Sequence, residues 1–421
     1  MKQLSRINIL ILILFTLLLS GCPSNDKAPS SAPANVTATG GDGFVVVNWD
    51  TKPGLTYWIF YKKGSSVSLD DHDRTLSDVK PPYFINNLSN GTQYAFTVTS
   101  SNGTSKVGPF SPSLTATPHS INTSIPWTIG PAFTAYNLNS IAFGNNTYVT
   151  VGNAATIYSA QYDYLKPGGV TDTGWVAPTT SPITTVTNLT SVIYNGTKFV
   201  ALGDDGSIIT STDANTWNAA TAITSPPVMN ALAYHSGNYV AVGNSGAIYT
   251  NTSSGISNAW VSRTPPTTNN LYGISYVNGR FIAVGAVDAV SAMGTLLTSP
   301  DGITWTAQTS NSGDALRHVA YGANNYVAVG DNGAIVSSPD ATTWSAQTAP
   351  TAESFRSIIF GRDSQFIAVG TAGLIAYSLS GADGSWAVTN AGIGFTDNLN
   401  SIVSNWVYIA TGAAGANVSV K

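Results

Sequence analysis

The feature that most constrains this chain is a repeat in its C-terminal part. An aromatic residue, a short apolar run and a glycine recur seven times, with the glycines 51, 40, 42, 45, 40 and 42 residues apart. A tryptophan also recurs seven times. A period of about 42 residues indicates small structural units that bury apolar faces against each other. The glycines are Gly152, Gly203, Gly243, Gly285, Gly330, Gly370 and Gly412, and the tryptophans are Trp127, Trp175, Trp217, Trp260, Trp305, Trp344 and Trp386.

Each repeat contains four short runs of β-forming residues, and the fifth repeat shows them well over residues 316–347. Four strands in about 42 residues are typical of one blade of a β-propeller. We therefore predict a seven-bladed propeller over residues 125–421. No tryptophan follows Gly412, and Trp127 precedes the first glycine. The strand around Trp127 is thus predicted to complete the last blade, which removes an open sheet edge.

Residues 33–118 predict a second all-β domain in front of the propeller. Short aromatic and β-branched runs alternate with turn residues, Trp49 ends one such run, and Tyr94 lies six residues after Leu88. These features resemble a fibronectin type III domain, in which the tyrosine hydroxyl bonds back to the backbone. The resemblance implies a β-sandwich with Trp49 and Tyr94 in its core. It also implies a spacer or a binding accessory.

The first 21 residues have the pattern of a signal peptide. Lys2 and Arg6 precede an apolar run that is too short for a comfortable transmembrane span. The run ends in Leu-Ser-Gly-Cys, which resembles the lipobox of bacterial lipoproteins. The resemblance implies that Cys22 is acylated and that the mature chain has the membrane as a partner.

Two segments are predicted to connect these parts. Residues 22–32 are rich in Pro, Ser and Ala and are expected to form a flexible tether, and residues 119–124 form a linker. Pro23 follows the cysteine where lipoproteins retained at the inner membrane often have aspartate. We therefore expect a cell-envelope protein at the outer membrane. The periplasmic and the exposed side both stay open.

Composition and charge exclude several function classes. Charged residues are 9% of the chain, and without Lys2 and Arg6 it has 15 basic and 21 acidic residues, a net charge of −6. No basic patch is available to neutralise phosphates, so nucleic acid is not an expected partner. The four histidines have no spacing typical of metal ligands. We predict a monomer with neither a metal nor a cofactor.

Three repeats carry a Ser-x-Asp-x-x-Thr-Trp turn between the third and fourth strands, at 211–217, 299–305 and 338–344. This turn is similar to the Asp-box of sialidases and of photosystem II assembly-factor propellers, although it is one residue shorter. The aspartate is expected to cap backbone N–H groups, and the tryptophan to pack between blades. The resemblance implies a structural turn on the face opposite to an active site.

A polar column marks the predicted mouth of the propeller channel. In each blade a polar or amphipathic residue follows the first apolar residue of the innermost strand. We predict that these seven residues ring the mouth and bind the ligand. Arg317 and Arg356 lie in neighbouring blades and could together grip a carboxylate, sulfate or uronic acid; alternatively they pair with Glu353. The column is Asn139, Thr190, Asn230, Tyr272, Arg317, Arg356 and Asn400.

Three further residues are candidate accessories to this site. Glu353 precedes Arg356, and His318 stands in a column of otherwise small residues, where it either contributes to the site or fills space. Asp288 lies in an extended loop of the fourth repeat, 285–294. The first repeat has an insertion at 161–174. Both loops are either binding elements or neutral insertions.

The sequence favours binding over catalysis. Glycoside hydrolysis usually needs two carboxylates, and Glu353 is the only glutamate in the chain. A sialidase-like scheme would need Tyr272, Glu353, Arg317 and Arg356 to converge with Arg263. We therefore predict a membrane-anchored, non-catalytic binding or scaffold protein of the bacterial cell envelope, with a protein or a glycan as its partner. The alternative is a sialidase-like or other glycan hydrolase on the same propeller.

Overall fold

The chain divides into two compact units, Met1–Asn122 and Thr123–Lys421. The computed structural model describes residues 28–41, 44–81, 83–85, 88–89, 91–102, 107–118, 127–161, 174–183, 187–252, 256–361, 364–392, 394–405 and 407–420. The predicted signal peptide and Cys22 lie outside these residues. In the part that the structure describes, no helix is long and apolar enough to cross a membrane.

The described residues of the first unit form two antiparallel sheets. One has the strand order β1-β2-β5, and the other has the order β4-β3-β6-β7. The strands are β1 Thr37–Gly41, β2 Phe44–Asn48, β3 Thr56–Lys63, β4 Arg74–Leu76, β5 Tyr83–Ile85, β6 Tyr94–Ser101 and β7 Leu114–Ala116.

Aromatic residues form much of the core of this unit. Trp49 and Tyr94 are both buried, and the ring of Trp49 lies 5.5 Å from that of Tyr57. The backbone N–H of Ser89 donates to Oη of Tyr94 at 3.1 Å. This is the kind of hydroxyl-to-backbone bond that the spacing of Leu88 and Tyr94 predicts. Membership of the fibronectin type III family stays a prediction.

The chain already lies along the first unit at Pro29. Gly108 comes so close that a Cβ atom there would lie 2.8 Å from the carbonyl oxygen of Pro29. Nearby, Nζ of Lys52 donates to Oγ of Ser31 at 3.1 Å. The last residues of the predicted tether therefore pack against the folded unit.

The second unit is an all-β propeller whose described residues form seven sheets. Blade one contains β9–β11, each of blades two to six contains the next four strands, and blade seven contains β32–β34 with β8. The strands are β8 Thr128–Ile129, β9 Leu138–Gly144, β10 Thr147–Gly152, β11 Ile157–Gln161, β12 Leu189–Tyr194, β13 Phe199–Gly203, β14 Ile208–Ser211, β15 Asn218–Ala219, β16 Met229–His235, β17 Asn238–Gly243, β18 Ile248–Asn251, β19 Val261–Ser262, β20 Leu271–Val277, β21 Arg280–Val287, β22 Gly294–Ser299, β23 Thr306–Ala307, β24 Leu316–Gly322, β25 Asn325–Gly330, β26 Ile335–Ser338, β27 Ser345–Ala346, β28 Phe355–Phe360, β29 Phe366–Gly370, β30 Leu374–Ser378, β31 Ala387–Asn390, β32 Leu399–Ser404, β33 Tyr408–Gly412 and β34 Asn417–Val420. Short 3-10 turns lie at Asn244–Gly246, Asp331–Gly333, Thr371–Gly373 and Ala413–Gly415.

The second strand of each blade explains the apolar runs of the repeat. In β17, for example, Tyr239, Val240, Ala241 and Val242 are all fully buried. A strand covered on both faces has a continuous apolar sequence, and here the neighbouring blades cover both faces.

The propeller closes on itself through its first and last strands. The inner strands β9, β12, β16, β20, β24, β28 and β32 contact each other in a closed ring. In blade seven, β8 is the outer strand and pairs with β34 in the register Val418↔Ile129 and Ser419↔Thr128. Trp127 is buried beside this strand, and its Nε1 donates to Oη of Tyr377.

The Ser-x-Asp-x-x-Thr-Trp turns, which resemble the Asp-box, are compact loops that hydrogen-bond internally, as the turn at 299–305 shows. Oδ1 of Asp301 accepts the backbone N–H groups of Ile303 and Thr304, both within 2.9 Å. These bonds hold the pKa of Asp301 below its usual value because they stabilise its charged form. Nε1 of Trp305 donates to the carbonyl oxygen of Gly302 at 2.9 Å. In this turn the aspartate and the tryptophan of the motif therefore form their hydrogen bonds within the turn itself.

Candidate ligand-binding site

A polar cavity opens at one end of the propeller channel. Its mouth has a volume of about 370 Å³ and the channel behind it about 390 Å³. All seven residues of the predicted column line both volumes; we call them the mouth ring. The ring consists of Asn139, Thr190, Asn230, Tyr272, Arg317, Arg356 and Asn400.

Each residue of the mouth ring is the extra residue of a β-bulge in its inner strand. In blade five, for example, Leu316 pairs with Gly330 and His318 pairs with Val329, so Arg317 has no partner across the ladder. The same shift occurs in the other six blades. A bulge bends the strand and re-aims a side chain. The seven bulges therefore account for the seven side chains that line the mouth.

The repeated glycine makes this bulge possible. A Cβ atom at Gly330 would lie 1.9 Å from the carbonyl oxygen of Ala315, and one at Gly370 would lie 2.0 Å from that of Ser354. The backbone of Gly330 is extended in this region, with φ near −163°. The glycine is thus required for close approach and not for an unusual dihedral angle.

The three asparagines of the mouth ring connect neighbouring blades. Nδ2 of Asn139 donates to the carbonyl oxygen of Leu189 at 2.9 Å, and Nδ2 of Asn230 donates to that of Leu271 at 2.7 Å. Asn400 bonds to Leu138 in the same way. These amide donors are used by the protein itself, so our expectation that all seven residues serve a ligand needs correction at these three positions.

Arg317 is held by a carboxylate that we did not predict. Its Nε and a terminal nitrogen donate to the two oxygens of Asp331 at 2.8 and 2.6 Å, and both side chains are about one quarter exposed. The guanidinium carbon also lies 4.1 Å from the ring centroid of Tyr272, a cation–π distance. Arg317 is therefore fixed in place, with part of its charge neutralised.

Arg356 has a different environment. Among the described residues its side chain makes no hydrogen bond and no ion pair. Glu353, the partner that we considered for both arginines, accepts instead from Oγ1 of Thr371 at 2.6 Å. Pairing of the arginines with Glu353 was wrong, since the two cations have other environments and this carboxylate bonds to the turn that follows β29.

The turn after the repeated glycine places a second set of polar side chains beside the mouth ring, and two of them, Asn153 and Asp204, line the mouth. In four blades a residue of this turn lies 14 positions after the ring residue, as Asn153, Asp204, Asn244 and Asp331. Asn139 donates to Asn153 at 2.8 Å and Asn230 donates to Asn244 at 2.9 Å, as Arg317 does to Asp331. These turn residues recur at a fixed spacing in the sequence, but we predicted no role for them.

His318 connects three blades within the channel. Its Nδ1 lies 3.0 Å from the carbonyl oxygen of Ile358, and its Nε2 lies 3.4 Å from Oγ of Ser275. Burial lowers the pKa of the imidazole below its ordinary value. His318 therefore lines the channel, but its polar atoms contact neighbouring strands.

Asp288 organises the extended loop of blade four. Its Oδ1 accepts the backbone N–H groups of Val290 and Ser291 at 3.0 and 2.8 Å, and its Oδ2 accepts from Asn269. These bonds lower the pKa of Asp288 to about 2. The carboxylate fixes a loop whose tip exposes Val290 almost completely. Of the insertion 161–174, residues 162–173 lie outside the described residues.

The constellation that a sialidase-like reaction would need is not assembled. Glu353 and Arg263 do not line the described cavity, and Nε of Arg263 donates to Oγ1 of Thr250 on the third strand of blade three. Tyr272 lies under the guanidinium of Arg317. In the described residues there is also no group of three or more His, Cys, Asp or Glu side chains that could hold a metal ion.

Comparison with known proteins shows the fold but no family. No protein family and no curated protein matches the sequence. Among solved structures, YCF48 bound to D1 peptide matches with a TM-score of 0.57 and 17% identity, over 71% of this chain and 96% of that chain. YCF48 from Cyanidioschyzon merolae matches with a TM-score of 0.53 and 17% identity, over 70% of this chain and 98% of that chain. At such identities the likeness shows a β-propeller and no more.

Proposed function

We propose that this protein is a membrane-anchored, non-catalytic binding or scaffold protein of the bacterial cell envelope, which holds a protein partner at the mouth of its propeller. The observation that carries the proposal is Arg356, a cation on the mouth ring that no described residue pairs. A guanidinium in a partly enclosed cavity is a strong receptor for a carboxylate. The bulged, closed ring of strands holds it in a fixed position.

A protein partner is favoured over a glycan by two observations. The solved propeller of YCF48 has a D1 peptide bound, so a propeller of this shape can hold a polypeptide segment. The mouth also exposes an apolar side chain, that of Val228, which suits contact with a protein surface. Tyr272 lies under the guanidinium of Arg317 and Glu353 does not line the described cavity, so hydrolysis of a bound glycan by a sialidase-like pair has less support.

Site-specific photo-crosslinking in the living host tests the binding face. A photoreactive residue replaces Val228, which is about half exposed and lines the mouth; the matched control replaces Ile303, which is similarly exposed in an Asp-box turn. We expect one envelope protein to be crosslinked from position 228 and not from position 303. Adding Arg356→Gln should reduce that adduct, whereas Arg280→Gln should not. Identical adducts from both positions would refute a partner at the mouth.

The membrane anchor is tested separately. Lipidation of Cys22 predicts that the mature protein sediments with outer membranes and incorporates labelled palmitate. Cys22→Ala should abolish the label and release the protein into the soluble fraction. Unchanged sedimentation and labelling of the variant would overturn the lipoprotein assignment without affecting the binding site.

A further inference from the structure

The mouth contains a recurring pair of side chains that is complete in some blades and broken in others. In blades one, three and five the ring residue donates to the turn residue 14 positions later. Each pair uses the polar groups of its two members on each other. Where the pair is missing and a charged member remains, as in blades two and six, that charge is available to a ligand.

In blade two the pair is broken and a carboxylate is left over. The ring residue is Thr190, whose hydroxyl donates to the carbonyl oxygen of Leu202 at 3.3 Å and not to Asp204. The carboxylate of Asp204 accepts from the backbone and side-chain nitrogens of Asn188, both neutral donors. No described cation lies within ion-pair distance of Asp204, which lines the mouth.

In blade six the pair is broken and a cation is left over. The turn position is occupied by Thr371, whose hydroxyl donates to Glu353. Arg356 therefore has no turn partner, and no described carboxylate forms an ion pair with it. In the order of the ring, blades seven and one separate blade six from blade two.

The same mouth thus presents one unpaired cation and one unpaired anion on well-separated blades. We propose that it binds a segment of the partner protein that carries one acidic and one basic side chain, the acid on Arg356 and the base on Asp204. This inference rests on the proposed function and specifies its ligand. A purely acidic ligand could pair with Arg356, but it would offer no cation to Asp204 at the other side of the mouth. Charge complementarity therefore favours a dipolar segment over an acidic sugar.

Blocked peptides can measure this requirement on the full-length protein. The probes are acetyl-Glu-(Ala)n-Lys-amide peptides with increasing alanine spacers, and the same series in the order Lys to Glu. Isothermal calorimetry should show binding that peaks at one spacer length and is stronger for one chain direction. Replacing either Glu or Lys of the best peptide by Gln should weaken binding about tenfold or more, the value of one charge-assisted hydrogen bond.

Variants assign the two charges. Arg356→Gln should remove the preference for Glu over Gln in the peptide, and Asp204→Asn should remove the preference for Lys over Gln. Asp397→Asn and Arg280→Gln remove the same charges outside the cavity, since neither residue lines it, and should change nothing. The swapped variant with Asp204→Arg and Arg356→Asp should prefer the opposite chain direction.

The outcomes separate the two proposals. Equal binding of the Glu peptide and its Lys→Gln analogue, or no peptide bound at any spacer length, overturns the dipolar ligand. If crosslinking from position 228 to one envelope protein persists in that case, a partner at the mouth still stands and only its charge pattern was wrong. Loss of both the peptide signal and the position-specific crosslink removes the proposed function as well.

Discussion

The ring residue and the turn residue are paired with each other in blades one, three and five, but they are not paired in blades two and six. In the first group the ring residue and the turn residue bond to each other, as Asn230 and Asn244 do at 2.9 Å. In the second group one member of the pair is too short or bonds elsewhere, which leaves Asp204 and Arg356 without a charged partner in the described structure. The repeat therefore provides equivalent backbone positions, and single substitutions decide whether the side chain at a position is paired within the protein, as in blade three, or is left for the proposed ligand, as in blades two and six.

This comparison indicates how a repeat protein can acquire a site at little cost to its fold. The bulge and the glycine that create the mouth ring are present in all seven blades. Loss of a neutral hydrogen-bonded pair costs about 1 kcal/mol, a modest fraction of the stability of a domain. The pair is absent from blades two, four, six and seven, so the propeller tolerates its absence in four of its seven blades.

The largest expected effect lies in the glycine that both groups share. Gly330→Ala in blade five and Gly370→Ala in blade six would place a Cβ atom 1.9 and 2.0 Å from a carbonyl oxygen, and each should cost about 3 kcal/mol in free energy of unfolding. Gly313→Ala is the control, because a Cβ atom there meets nothing within 4 Å. Urea unfolding followed by tryptophan fluorescence measures all three. A smaller loss in blade six than in blade five would mean that broken pairs relax the bulge.

The next largest expected effect is a difference in stability between variants at the two arginine sites. Asp331→Ala leaves Arg317 partly buried without its carboxylate and should cost about 2 kcal/mol. Arg356→Gln removes a cation that no described residue pairs and should change stability by less than about 0.5 kcal/mol. The same denaturation experiment compares them. Equal losses would show that Arg356 has a structural partner and would weaken its assignment to a ligand.

A smaller loss of stability is expected for the asparagines of the mouth ring, and it should scale with the number of side-chain hydrogen bonds that each one makes. Asn230→Ala removes hydrogen bonds to Asn244 and to the backbone of Leu271, and should cost about 1.5 kcal/mol. Asn400→Ala removes one such bond, to Leu138, and should cost about half as much. Thermal unfolding of the two variants provides the ratio. Loss of ligand binding without loss of stability would contradict the structural role that we assign to these residues.

The smallest expected effect comes from a substitution that gives blade two the side-chain pair of blades one and three. Thr190→Asn places in blade two the residue that blades one and three have at this position, so its amide should reach Asp204. We expect a gain of about 0.5 kcal/mol in stability together with weaker binding of the basic side chain of the partner. Calorimetry with the best dipolar peptide and urea unfolding check the two halves of this prediction. Unchanged stability and unchanged binding would show that position 190 does not control Asp204.

The mouth ring could be predicted from the sequence because the same backbone geometry recurs in every repeat. An apolar residue such as Leu316 anchors each inner strand, and the residue that follows it always falls in the bulge. Alignment of the repeats was therefore sufficient to identify all seven positions of the mouth ring, although not the other residues that line the cavity. The fold could be predicted on the same basis, and the solved propellers support it.

The partners of these residues could not be predicted from the alignment alone. Arg317 bonds to Asp331 in a turn 14 residues away, and Glu353, which is nearer to Arg356 in sequence, bonds to Thr371. Proximity in the chain favoured Glu353, whereas the β-hairpin brings the turn residue over the bulge. Side-chain length then decides which pairs form, since Thr190 does not bond to Asp204 but the asparagines reach their turn partners.

The strand that closes the propeller also determines how the molecule would carry mechanical load. Under the proposed function, a force between the N-terminal part of the chain and a partner at the mouth would enter the propeller at β8, its first strand, which is paired over two residues with β34. Tension along the chain would act on this short pairing before it reaches any complete blade. The rate at which β8 detaches, and not the equilibrium stability of the seven blades, would then set how long the protein withstands force.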